Sequence, residues 1–187
     1  MPTINRRQLL KTALAAGAGG AAAAIAAQPA VAAFSPPAAG RQYQKYGGLN
    51  FTPIWTLKDG NRVDWTYNDN GSIYVTGSTT LFRTRLQLPQ GAVIEEVQFN
   101  FFLGDYPGMD FNLIAFDGQN GYQPNIPFAS ANTPDPTSIQ TISLPGLPVR
   151  VDNARWFYVL SWAPHAADNN HVLWGARVGY RPTQDSQ

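Results

Sequence analysis

The chain has no cysteine, which excludes a disulfide framework, thiol chemistry, thiolate metal centres and a lipid-modified cysteine at a processing point. Histidine is nearly missing, with two in 187 residues, so any nucleophile or general-base scheme that needs an imidazole depends on His165 or His171. Charged residues make up 13% of the chain and the formal net charge is +1. No basic cluster occurs, which argues against nucleic acid as a partner. No window longer than about ten residues keeps a helical period, and there is no Gly-x-Ser-x-Gly elbow. With so few chemical groups to spend, stability must come from packing.

What is present begins with an address. A basic stretch, Asn5-Arg6-Arg7-Gln8-Leu9-Leu10-Lys11, precedes a weakly apolar run from Thr12 to Ala27, and Ala30-Val31-Ala32 supplies a small-x-small cleavage site. These are the three parts of a secretory signal peptide. The paired arginines followed by Leu9, Leu10 and Lys11 resemble the twin-arginine class. Asn5 stands where Ser or Thr is commonest, and Leu9 where Phe is. A membrane anchor needs about 20 strongly apolar residues, and both the Gly17 to Gly20 stretch and Pro29 argue against one. The expected division is a signal peptide over 1–32, a flexible spacer over 33–48 and a single domain over 49–183. Cleavage near Ala32 places the mature protein in the periplasm or outside the cell, with no membrane span. It leaves about 155 residues, one domain's worth. Loss of Arg6, Arg7 and Lys11 turns the net charge of +1 into −2.

From Leu49 onward, β-branched and aromatic runs alternate with Gly, Pro, Asn and Asp, which predicts an all-β fold. Val63, Trp65 and Tyr67 alternate with polar residues before an Asn68-Asp69-Asn70-Gly71 turn. Phe82, Thr84, Leu86 and Leu88 share a face opposite Arg83, Arg85 and Gln87, so one side of that strand is wet. Val97, Phe99, Phe101 and Leu103 alternate strictly within Val93–Leu103, and Phe111–Phe116 is its expected partner. Trp156–Trp162 is apolar on both faces, as in a central strand. Val172, Trp174, Ala176, Val178 and Tyr180 are expected together in the last strand, where Gly175 and Gly179 permit close approach of another backbone or a bend. Roughly six to nine strands at about 8–12-residue spacing predict an antiparallel two-sheet β-sandwich with Greek-key or jelly-roll connections.

Leu86-Gln87-Leu88-Pro89-Gln90-Gly91-Ala92-Val93-Ile94, Asp110-Phe111-Asn112-Leu113 and Val178-Gly179-Tyr180 resemble a recurring group of secreted bacterial β-sandwich domains. These are turn and core residues, so the resemblance implies fold and export and transfers no site.

No catalytic residue is assigned from the sequence. His165 and His171 flank a loop containing Asp168, and two imidazoles with one carboxylate form a ligand set that suits a divalent metal. The competing reading is a hairpin loop bordered by polar residues. Asp105, Asp110, Asp117, Glu95 and Glu96 are the acids near the central strands. Asp110 and Asp117 lie over roughly 20 Å apart in an extended strand, which rules them out as a glycosidase pair. Asp105 and Asp110 flank one turn, where aspartates ordinarily cap backbone.

Five Trp, eight Tyr and ten Phe offer either a stacking surface for sugar rings or the filling of a sandwich core. Trp55 lies in an irregular segment. The long stretch from Gly118 to Ser138 holds Tyr122, Asn125, Phe128 and four prolines, and serves as a ligand loop or an edge cover. Trp55, Tyr122, Asn125 and Phe128 are therefore the candidate ligand-binding residues. Two functions fit: an exported, non-enzymatic sandwich that binds a ligand such as a glycan or serves as a structural envelope component, and a small metal-assisted enzyme at the His165–His171 loop. The first needs no cofactor. The partner is an unknown ligand or protein, with a homo-oligomer left open.

Overall fold

A computed structural model describes residue 34 and residues 38–54, 57–58, 61–117, 121 and 127–183. The strands are β1 (Gln42–Gly47), β2 (Thr52–Pro53), β3 (Leu57–Lys58), β4 (Asn61–Arg62), β5 (Trp65–Tyr67), β6 (Ile73–Val75) and β7 (Phe82–Arg85). They continue with β8 (Val93–Leu103), β9 (Met109–Phe116), β10 (Phe128–Ala131), β11 (Gln140–Ser143), β12 (Val149–Arg150), β13 (Phe157–Pro164) and β14 (His171–Arg181). One sheet has the order β11-β8-β14-β6-β5, with β1 on β14 and β12 on β8; the facing sheet is β10-β9-β13-β7-β2, and β3 and β4 form a separate two-stranded sheet. All pairings are antiparallel. The chain is thus an all-β, two-sheet antiparallel sandwich. Among the described residues no helix is long and apolar enough to cross a membrane.

Pairing of β8 with β14 in one sheet and β9 with β13 in the other nests two long hairpin-like connections, in the jelly-roll manner. It also places the β8–β9 and β13–β14 turns side by side at one end of the sandwich. The chain segments leading into β8 and β13 meet at the opposite end.

Period-2 alternation builds the core. Val97, Phe99, Phe101 and Leu103 of β8 face Phe111, Leu113 and Ala115 of β9, all of them buried. Phe111 bridges the two layers, with ring centroids 4.8 Å from Phe99 and 5.0 Å from Phe101. Trp162 packs 5.2 Å from Phe82, and Trp65 crosses from the first sheet to meet Phe82 at 6.2 Å. Aromatic pairs of this kind add about 0.5–1.5 kcal/mol each beyond their burial.

Three expectations need correction. The spacer expected over 33–48 gives way at Gln42, because β1 pairs along β14 from Gln42↔Tyr180 to Gly47↔Gly175. The alternation that would announce it is weak, since β1 is an edge strand and only its Tyr46 packs on the core. The last strand does not keep one face throughout. A bulge between Leu173 and Gly175 shifts register against β8, so Leu173 points inward with Ala176, Val178 and Tyr180 while Val172 lies opposite Phe102; one extra residue reverses every side chain beyond it. Finally, the stretch from Gly118 to Ser138 contains β10, paired with β9 from Phe128↔Asn112 to Ala131↔Met109. Beyond it, Asp135 accepts hydrogen bonds from Thr137 N at 2.9 Å, Thr137 Oγ1 at 2.6 Å and Ser138 Oγ at 2.5 Å. Those donors hold its carboxyl well below the usual range, at about 2.

Candidate functional site

The sandwich offers polar chemistry at both ends. At the end where β8 meets β9, Asp168 Oδ1 lies 2.7 Å from His171 Nδ1, and Asp105 Oδ1 lies 3.8 Å from the same nitrogen. The His171 Nε2 sits against the Pro107 carbonyl. His171 is fully buried although polar. Ligand atoms of Asp105, Asp168 and His171 all fall within 4.8 Å of one another. His165 does not join them: its Nε2 lies 3.0 Å from Asp110 Oδ2, and Asp110 Oδ1 accepts from Ser130 Oγ at 2.6 Å. The histidines separate because Pro164 closes β13 before His165, whereas His171 is already the first residue of β14 and faces the β8–β9 turn. Asn170 Nδ2 holds Asp105 Oδ2 at 2.9 Å, so Asp105 and Asp110 serve different partners.

At the opposite end a groove of about 530 Å³ runs between the edge of the first sheet and the segment after β7, bordered by Gln44, Arg85, Gln87, Asn153, Trp156, Phe157 and Tyr180. A second hollow of about 420 Å³, with Lys45, Tyr46 and Asn50 on its walls, continues it and shares Gln44, Arg85 and Gln87. Its geometry follows from local sequence. Leu86 and Leu88 are buried, so alternation turns Arg85 and Gln87 outward. Pro89, Gln90 and Gly91 then turn the chain back, with Gly91 at φ +76°.

The supporting polar groups are satisfied and fixed. Gln44 Nε2 donates to the Gln87 carbonyl at 2.9 Å, while Gln44 Oε1 accepts from Tyr46 Oη at 2.5 Å. Asn153 Nδ2 donates to the Leu88 carbonyl at 2.8 Å, and Tyr158 Oη accepts from Asp152 N at 3.0 Å and donates to the Arg150 carbonyl at 3.2 Å. Burial pushes the Tyr46 and Tyr158 phenols above the ordinary tyrosine range, which keeps them as neutral donors. Two aromatic rings complete the wall. Trp156 is half-buried, with the Arg155 guanidinium 4.7 Å from its ring. Phe157 is 43% exposed and carries the Arg85 guanidinium at 5.2 Å. The Gln87 side-chain amide, the Asn153 side-chain oxygen and the Arg85 guanidinium donors have no hydrogen-bonding partner among the described residues.

The residues singled out in the sequence fall elsewhere. Trp55, Tyr122 and Asn125 lie outside the described residues, as do the signal-peptide residues 1–32. Phe128 is 47% exposed on the edge strand β10, opposite Asn112. Glu95 and Glu96 are engaged with Arg41, each at 2.8 Å. Trp162 is fully buried, Trp65 and Trp156 pack on the core and Trp174 is half-buried, so the described tryptophans form no exposed row. The groove residues carried a partial signal: Arg83, Arg85 and Gln87 were recognisable as a wet face, but the convergence of β1 and the turn before β13 upon them was not.

No family model matches the chain, and no curated protein matches it by sequence. Among solved structures it is similar to a GH26-CBM35 β-(1,4)-mannanase of Podospora anserina, with TM-score 0.45 and 11% identity over 76% of this chain and 28% of that one. It is also similar to a family 35 carbohydrate-binding module of Clostridium thermocellum, with TM-score 0.44 and 12% identity over 73% and 97% of the two chains. A third is the C-terminal CBM6 of a marine laminarinase from Zobellia galactanivorans, with TM-score 0.43 and 10% identity over 73% and 98%. At these scores neither ligand nor activity is carried over, and the groove's own chemistry has to decide.

Proposed function

We propose that this protein is an exported, non-enzymatic glycan-binding module, and that the groove beside Trp156 and Phe157 is its binding site. The observation that carries this reading is the combination on one wall of a half-buried indole, an exposed phenyl ring and open amide and guanidinium donors. A saccharide presents apolar C–H faces and a rim of hydroxyls, and it is recognised by ring faces for the former and fixed donors and acceptors for the latter. Among the described residues lining the groove there is no Asp or Glu, and its amide, guanidinium and aromatic groups suit holding a ligand. Export rests on Asn5 to Lys11 and Ala30-Val31-Ala32, and N-terminal sequencing of secreted protein should begin at Ala33; retention of Met1 or intracellular residence would count against it.

Affinity electrophoresis across a set of soluble polysaccharides tests the site. Phe157→Ala and Trp156→Ala should each weaken retention about tenfold or more, in line with an aromatic contact worth about 1.4 kcal/mol. Phe128→Ala, on a distant edge, should leave retention unchanged. Full retention by both groove variants would refute the site.

A second reading has its own observation. His171 is buried with its Nδ1 facing the Asp168 and Asp105 carboxylates and its Nε2 against the Pro107 carbonyl, so an imidazole nitrogen and two carboxylate oxygens converge within 4.8 Å. We infer that Asp105, Asp168 and His171 would hold a divalent cation that clamps the β8–β9 and β13–β14 turns, the role in which carboxylate and imidazole ligands fit such an ion. Elemental analysis of untagged protein should then find an ion that Asp168→Asn loses, with a lower Tm on chelation in the wild type alone. Equal Tm values with and without chelator would remove this reading.

A further inference from the structure

We propose that the glycan this groove receives is anionic, with Arg85 and Lys45 meeting its carboxylate or sulfate groups; this rests on the glycan-binding reading above. The inference comes from how the molecule distributes its ion pairs. On the first sheet both acids of β8 are paired: Glu95 with Arg41 and with Arg181 at 3.1 Å, and Glu96 with Arg41 and with Arg177 at 2.5 Å. Along the groove the opposite holds. Lys45 and Arg85 border it, no Asp or Glu lines either hollow, and neither cation has an acidic partner among the described residues. Asp152, the nearest acid in sequence to the aromatic wall, is turned to Gln90 Nε2 at 3.3 Å and Ala154 N at 3.2 Å.

Lys45 and Arg85 thus stand as one ammonium and one guanidinium group without an acidic counterpart beside the ligand groove. Guanidinium pairs bidentately with carboxylate or sulfate, and such charge-assisted bonds are about twice as strong as neutral ones. A neutral glycan would leave that capacity unused.

The test compares polygalacturonate with its carboxyl-reduced, neutral counterpart, and dextran sulfate with dextran, by affinity electrophoresis and calorimetry at about 20 and 200 mM salt. The expected result is at least tenfold tighter binding of an anionic member than of its neutral partner. That preference should shrink with salt and vanish in the Lys45→Gln/Arg85→Gln variant. The carboxylate pair and the sulfate pair distinguish the two sources of charge. Equal binding of charged and neutral members, or a preference that survives the double substitution, overturns the inference while leaving a neutral-glycan groove intact. If the charged polymers fail and Trp156-dependent binding to a neutral glycan is found, the anionic assignment alone falls. If no polysaccharide binds at all, both fall together.

Discussion

Trp162→Ala should cost about 3–5 kcal/mol of folding free energy, and for a domain of this size lower Tm by roughly 6–20 °C. The argument begins with register. In β13, Trp162 stands opposite Phe82 of β7 and Phe111 of β9, so its indole fills the space between three strands of the second sheet and the facing layer. It is fully buried, lies 5.2 Å from the Phe82 ring and donates its Nε1–H to Met109 Sδ at 3.4 Å. Truncation removes the largest buried side chain and leaves a cavity that a sheet clamped on both sides cannot close. Trp162→Phe should recover about half of the loss. Denaturant titration with calorimetry checks both, and a loss below about 1 kcal/mol for the alanine variant would show that the core is not centred on this residue.

Gly175→Ala should destabilise by roughly 1–3 kcal/mol through overpacking and should also weaken glycan binding. A Cβ at Gly175 would stand 2.5 Å from the Tyr46 carbonyl oxygen and 3.3 Å from the Gly47 Cα, with φ at +157°. The obstacle is backbone, which cannot swing aside like a flexible side chain. Relief requires β1 to lift from β14, and β1 carries Gln44, Lys45 and Tyr46 to the groove wall. Gly146→Ala provides the comparison: its φ of +77° strains the new residue, yet nothing lies within 4 Å of the added carbon. It should cost about 1 kcal/mol and leave binding alone. Hydrogen exchange of the β1 amides, together with affinity electrophoresis, separates the two. Unchanged β1 protection in Gly175→Ala would contradict this account of the strand.

Those two residues illustrate what could be read from the sequence and what could not. Alternation in Val97–Leu103 and Phe82–Leu88 is a local signal with period 2, and it announced both sheets and their inner faces. The Gly175 and Gly179 pair announced close approach, which β1 supplies: a Cβ at Gly179 would meet the Tyr43 ring at 2.9 Å. The bulge before Gly175 was legible only as a bend that the glycine permits; its register shift, which turns Leu173 rather than Trp174 inward, is set by pairing with β8 and was not. Site geometry was less legible still. His165 and His171 are six residues apart, but the end of β13 and the start of β14 send them to different carboxylates. Asp105 reaches His171 from a turn more than sixty residues away. Trp156, which reads as one more aromatic of a central strand, ends up half-buried at the groove because regular pairing of β13 begins only at Phe157.

The most direct test of the groove is a titration of isotope-labelled protein with binding glycan, followed by nuclear magnetic resonance. The side-chain amides of Gln87 and Asn153, the Trp156 indole N–H and the backbone amides from Arg85 to Pro89's neighbours should shift together and saturably, while the His171 and Asp168 signals at the far end stay in place. Shifts confined to the Asp105, Asp168 and His171 end, with the Trp156 indole unmoved at saturation, would contradict the assignment of this groove as the site.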